Sequence, residues 1–249
     1  MGTSHAVASA SEVPTPKQMS EFWRQVTCGR ITKRKLQAFL RDGKTPNNEE
    51  LARQILGDDI VFPEDIAAAG GLFYADEQLQ RFIDTIPSEE ALRELKANNF
   101  ALVAGPSKPM SLLEVRDADS GPFYTKTEGW YSNVNEKFAM NDRAPTEWLA
   151  IRKEPVLNST NRRWNEQLGL ISVNERVPNA GEMSWFITTY FKVRGVRLFA
   201  SVYARTSSVD SSGVRVCVGG FGADGLCVSS GWGDGRGSGL GVASARKFN

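Results

Sequence analysis

The sequence predicts an α+β protein: a helical N-terminal region, then a mixed domain that closes in short strands. Three observations carry this. Helix-period apolar spacing with capping residues dominates residues 19–99. Short strand-like runs begin at Phe100 and are interrupted by two helical stretches. The closing segment, Gly213 to Gly241, sets a regular apolar frame in a background of Gly, Ser and Cys. Helices first, then strand, helix, helix, strands, is not a βαβ alternation.

Residues 1–18 are rich in Ser, Ala, Thr and Pro and are expected to form a disordered lead-in. No basic start precedes an apolar stretch, so no secretory signal is visible and a cytoplasmic location is the default. Phe22, Trp23 and Val26 then share a helical face. Thr32 can cap a second helix carrying Leu36, Phe39 and Leu40, ending before Gly43. The basic cluster Arg30, Lys33, Arg34 and Lys35 reads as a solvated helix face, with binding of an anionic partner as the alternative. Asn47 or Asn48 can open a third helix, with Leu51, Ile55 and Leu56, closed by Gly57. Two more are expected at about 76–85 and 88–97, the latter capped by Ser88 with Glu89 and Glu90 in its first turn.

The expected domain of residues 100–249 opens with strands at Phe100–Ala104 and Ser111–Val115, around the turn-forming Gly105-Pro106. Residues 123–133 are aromatic and turn-rich, and Trp148–Arg152 is another strand. Helices are expected at about 162–171 and 179–193, the second aligning Met183, Phe186, Ile187 and Tyr190. Leu198–Arg205 reads as a strand. Beyond it, Val214, Val216, Val218, Phe221, Leu226, Val228, Trp232, Leu240 and Val242 form the apolar frame. From Gly231 to Gly241 every second residue is glycine.

Composition narrows the function classes. No apolar run reaches the roughly 18 residues of a membrane helix, so no membrane span is expected. Three cysteines, Cys28, Cys217 and Cys227, make no disulfide framework. The single histidine, His5, argues against a histidine-based triad or metal site. Net charge is +1, but residues 1–150 carry 17 basic and 22 acidic groups, while residues 151–249 carry 13 and 7. That asymmetry fits two mutually attractive halves or a C-terminal surface that draws acidic ligands. No dense basic stripe marks nucleic acid as the main partner. The glycine-rich stretch contains no phosphate-loop signature, and no helix pattern follows Gly231, Gly233 and Gly235. Asp210, Asp224 and Asp234 are scattered without a calcium-loop spacing. Neither cofactor nor metal is expected.

The C-terminal layout resembles a known class. The runs Tyr203-Ala204-Arg205-Thr206, Val209-Asp210-Ser211-Ser212-Gly213 and Arg215-Val216-Cys217-Val218, then Gly225-Leu226, Trp232, Asp234, Arg236 and Leu240 to Lys247, are similar to variable proteins of diversity-generating retroelements. Hypothetical proteins of ultrasmall uncultivated bacteria share this layout. The resemblance covers about residues 145–249. It implies a C-type-lectin-like fold of two helices and short antiparallel strands. It also implies a last stretch rewritten by a reverse transcriptase that mutates template adenines. Asn codons changed at adenines become Ser, Gly or Cys, and Asp codons become Gly. The sulfatase-modifying formylglycine-generating enzymes share that fold, but no matching active-site motif stands in this chain.

The expected ligand-binding, diversified positions are Cys217, Gly219, Gly220, Gly222, Cys227, Ser229, Ser230, Gly231, Gly233, Gly235, Gly237, Ser238 and Gly239, with Trp232 and Arg236 as the large side chains among them. The leading expectation is a non-enzymatic ligand-binding protein whose protein or surface target is unknown. Gly and Ser anchor poorly, so this copy is expected to bind weakly. One alternative is an enzyme using Cys217 or Cys227 as nucleophile, marked by a depressed thiol pKa. Another is a structural assembly module, which oligomer measurements would reveal.

Overall fold

A computed structural model describes residues 15–32, 47–230 and 234–248. The chain divides into two compact units, residues 1–47 and 48–249. The boundary therefore falls well before Phe100. The expected helical region is split, and its larger part belongs to the C-terminal unit.

In the first unit, α1 spans Pro16–Thr27. It starts inside the expected lead-in because Thr15 caps it. The Gln18 backbone N–H donates to Thr15 Oγ1 at 3.3 Å, and the Gln18 side chain accepts from the Thr15 backbone at 2.8 Å. Proline at the first helical position adds a preset φ. The expected second helix, with Lys33–Lys35 of the basic cluster, lies outside the described residues.

The second unit is a mixed α+β domain. Helices α2 (Asn48–Leu56), α3 (Pro63–Ala68), α4 (Asp76–Asp84) and α5 (Glu89–Ala97) precede or flank its first strands. The cap at Ser88 is present, with the Ala91 N–H donating to Ser88 Oγ at 3.3 Å. Strand β1 (Ile60–Val61) pairs in parallel with β2 (Phe100–Ala104), registering Ile60 with Leu102. A two-residue strand gives too short a pattern to read from the sequence.

Residues 112–115 are not a strand. After β3 (Met110–Ser111), α6 runs Leu112–Ala118. Ser111 caps it, and Glu114 reaches back to the Ser111 N–H at 2.8 Å. The spacing of Leu112 and Val115 then buries one helical face. The capping box outweighs the β-branched Val115. A 3₁₀ turn, Trp130–Ser132, and α7 (Lys137–Asn141) lead to β4 (Arg143–Ala144), which pairs with β3. Strand β5 (Trp148–Arg152) pairs antiparallel with all of β2. The helix expected at 162–171 shortens to α8 (Trp164–Leu168). Strand β6 (Glu175–Arg176) follows.

Helix α9, Ala180–Arg194, is the centre of the unit. Asn179 caps it by accepting from the Glu182 N–H at 2.9 Å, and Gly195 in the left-handed region ends it. Every residue from Ala180 to Tyr190 is buried, so the helix is enclosed on all sides up to its last turn. It packs on α6, α3, β4 and the strands β7 (Tyr203–Val209) and β8 (Arg215–Gly222).

Residues 198–202 do not form a strand. Phe199 adopts φ +54°, which breaks an extended run. Pairing begins at Tyr203 instead. A four-stranded sheet has the order β10-β7-β8-β9, from β7 (Tyr203–Val209), β8 (Arg215–Gly222), β9 (Gly225–Ser229) and β10 (Leu240–Val242). A five-stranded sheet, β1-β2-β5-β11-β6, closes when β11 (Ala245–Arg246) returns beside β5 and β6.

Candidate functional site

The site grows from the register of the four-stranded sheet. In β7 and β8, Tyr203 faces Gly219 and Arg205 faces Cys217; in β9, Cys227 pairs with Gly219 and Ser229 with Cys217. Side chains alternate across a strand. Tyr203, Arg205, Cys217, Cys227 and Ser229 therefore share the outer face, and Ala204, Thr206, Val216, Val218 and Val228 share the inner one. The inner set is buried, on the face that meets α9. Of the frame residues, Val216, Val218, Phe221, Leu226, Val228, Leu240 and Val242 are buried. Val214 is half-buried, and Trp232 lies outside the described residues.

The outer face is half covered. Residues 159–167 and the return loop 234–239 lie over its β10-β7 side, and one buried arginine joins them to the sheet. Arg205 is fully buried. Its Nη1 donates to the Arg162 carbonyl at 3.1 Å and to Gln167 Oε1 at 2.9 Å. Its Nη2 donates to the Gly235 carbonyl at 2.6 Å. Burial pulls this guanidinium below its ordinary value, opposed by Cys217 and Asp234. Buried Gln167 in turn donates to the Ser159 carbonyl at 2.8 Å and to the Leu240 carbonyl at 3.3 Å.

The loop is tied to the same segment at its surface. The Asn161 N–H donates to the Gly237 carbonyl at 2.8 Å, and the Trp164 N–H to Asp234 Oδ1 at 3.0 Å. Arg236 pairs with Glu166 at 2.8 Å. The Arg163 N–H, with Arg236 and Arg162 adding to it, holds the Glu166 carboxyl below the usual range. Arg215 stacks on the Trp164 ring, its guanidinium carbon 4.5 Å from the centroid.

Three expected positions do not fit an exchangeable surface. Cys217 is fully buried, and burial pushes its thiol up to about 12, although nearby Arg205 works against this. Such a thiol is protonated at neutral pH and shielded, which speaks against it as a nucleophile. Gly219 is buried with φ +152°, and a Cβ there would sit 2.2 Å from the Val202 carbonyl oxygen. Gly220 has φ +58°, with the Tyr203 ring 2.6 Å from where its Cβ would be. These two glycines are required by backbone conformation and by close approach.

The remaining described positions lie at the surface. Gly235, Arg236 and Ser238 are exposed. Gly222, Cys227, Ser229, Ser230, Gly237 and Gly239 are half-buried. Gly231 and Gly233, like Trp232, lie outside the described residues. The uncovered part of the outer face presents Tyr203 beside Cys227 and Ser229. Burial, then hydrogen bonding to Cys227, pushes the Tyr203 phenol up to about 12. The free edge of β9 is closed by residues 122–130. Tyr124 N–H donates to the Leu226 carbonyl at 3.0 Å, and Trp130 Nε1 to the Val228 carbonyl at 2.9 Å.

Sequence reasoning missed Arg205, Gln167, Trp164 and Tyr203 as parts of the site. The available signal was an arginine inside a strand-like run, where a charge needs partners. Among the described residues no three His, Cys, Asp or Glu side chains are grouped to hold a metal ion. No described helix is long and apolar enough to cross a membrane. No family model, curated protein or solved structure matches the chain.

Proposed function

We propose that the chain is a ligand-binding protein, not an enzyme, that displays a surface rewritten by a diversity-generating retroelement on a C-type-lectin-like domain. One observation carries the reading. The apolar frame of the last strands is buried, while Gly222, Cys227, Ser229, Ser230, Gly235, Arg236, Gly237, Ser238 and Gly239 between and beyond it reach the surface. Side chains can change there without entering the core. Cys217, Gly219 and Gly220 leave the diversified set, for the packing reasons above.

Two further features support the reading. Two of the bonds that hold the loop 234–239 go to its carbonyls at Gly235 and Gly237, and these persist whatever side chains those two positions carry. Helices α8 and α9 and the short, mostly antiparallel strands are compatible with a lectin-like domain, with α6 and α7 added. The target is a protein or surface ligand met by this face.

The genome of the source tests the proposal. The expected finding is a near-copy of the 213–241 coding repeat beside a reverse transcriptase gene, differing at template adenines. Differences spread evenly over all four bases, or confined to the Gly219 and Gly220 codons, would overturn it.

A further inference from the structure

A second site lies away from the variable face. A cleft of about 630 Å³ opens between α4, the start of α5, residues 146–148 and the end of β11 with the segment after it. That is the size of a small-molecule pocket. Its lining includes three cations, Arg81, Arg246 and Lys247, against one carboxylate, Glu147. Phe82, Trp148 and Phe248 give it apolar walls. The Trp148 indole is locked by donating to the Phe82 carbonyl at 2.9 Å, so that wall is preformed.

One observation points to an anionic occupant and a second to a polar one. The cations are weakly committed. Arg81 meets Glu147 at 3.4 Å with both side chains mostly exposed, an arrangement that a ligand carboxylate can displace. Lys247 donates to the Val173 carbonyl at 3.2 Å, leaving two ammonium protons in its inventory. Only Arg246 is held closely, by Glu94 at 2.9 Å. In addition, Thr146 lines the cleft, and its hydroxyl, shielded from solvent, has no hydrogen-bond partner. Buried polar atoms without partners are uncommon in folded proteins.

We infer that this cleft binds a small organic anion with an apolar ring, its carboxylate or phosphate meeting Lys247 and Arg81 and its ring lying along Trp148 and Phe248. The probe pair is 1-naphthoate and its neutral counterpart 1-naphthalenemethanol, titrated by calorimetry into the full chain. 1-Naphthoate is expected to bind with Kd below about 1 mM, and the alcohol about tenfold more weakly. Lys247→Gln with Arg81→Gln is expected to weaken 1-naphthoate about tenfold, and Thr146→Val several-fold, with unchanged circular dichroism. Arg236→Gln, on the variable face, is expected to leave binding as it was. No binding up to about 5 mM, equal binding of the alcohol, or insensitivity to all three cleft substitutions would overturn the inference. If a variant fails to fold, the comparison of the two probes on the unaltered chain decides.

Discussion

Arg205 and Gly235 are joined by a hydrogen bond of 2.6 Å from a fully buried guanidinium to a backbone carbonyl in the glycine-rich return loop. The contact needs nothing from the side chain at position 235. It holds the loop independently of what that position displays.

Arg205→Ala is therefore expected to cost about 2–4 kcal/mol, because carbonyls that accept from a charged donor lose it inside the protein. For a unit of this size that is a fall in Tm of about 2–4 °C per kcal/mol. Arg205→Lys is expected to recover only part of it, since one ammonium cannot reproduce the planar fork that spans Arg162, Gln167 and Gly235. Thermal melts of the two variants check this; equal Tm for wild type and Arg205→Ala contradicts it.

Gly219→Ala and Gly220→Ala are each expected to destabilise by at least about 1–3 kcal/mol, from left-handed backbone and contact with Val202 and Tyr203. Gly222→Ala, with nothing closer to its Cβ than about 4 Å, is expected within about 0.5 kcal/mol of wild type. Urea unfolding of the three variants separates the two classes.

Thiol labelling distinguishes the two sheet cysteines. In a Cys28→Ser background, a disulfide reagent at pH 8 is expected to modify Cys227 while the fold is intact and Cys217 only on unfolding. Burial both shields Cys217 and disfavours its thiolate. Peptide mapping identifies the modified residue. Prompt modification of native Cys217 contradicts its placement and revives it as a reactive group.

Acid weakens the second unit in a direction that Asp59 sets. Burial opposes its charge, but Lys153 and Lys96, each 2.7 Å away, override this and hold its carboxyl below the usual range. A depressed carboxylate adds stability that is present above its unfolded pKa of about 3.9 and is lost as pH falls through the lower folded value. Asp59→Asn is expected to cost about 2 kcal/mol at pH 7 and to flatten the stability profile below pH 4. Parallel profiles for mutant and wild type contradict this.

Much of the fold was legible where local signals and tertiary packing agree. Ser88 announces α5, the spacing of Met183, Phe186, Ile187 and Tyr190 announces α9, and Trp148–Arg152 pairs along its whole length. Ser111–Val115 was misleading because apolar residues resemble a strand until the Ser111 and Glu114 cap is weighed. Leu198–Val202 looked extended, but Phe199 turns the chain. The site was half legible. Alternation separated the frame from the positions between, yet it assumed that the outer sheet face meets water. The segment carrying Gln167 covers part of that face, so Cys217 is buried on the side that the pattern assigns to solvent. That covering depends on residues about 40 apart in the chain, Arg205 and Gln167, which no local pattern connects.

The most direct test of a stable frame beneath an exchangeable surface is a substitution library read by thermal stability. Every residue type would be introduced singly at Gly222, Ser229, Ser230, Gly235 and Ser238, and at Val216, Cys217, Val218, Gly219 and Gly220. Most changes in the first group are expected to stay within about 0.5 kcal/mol of wild type, while most in the second lose more than about 1 kcal/mol. Equal sensitivity in both groups would contradict this.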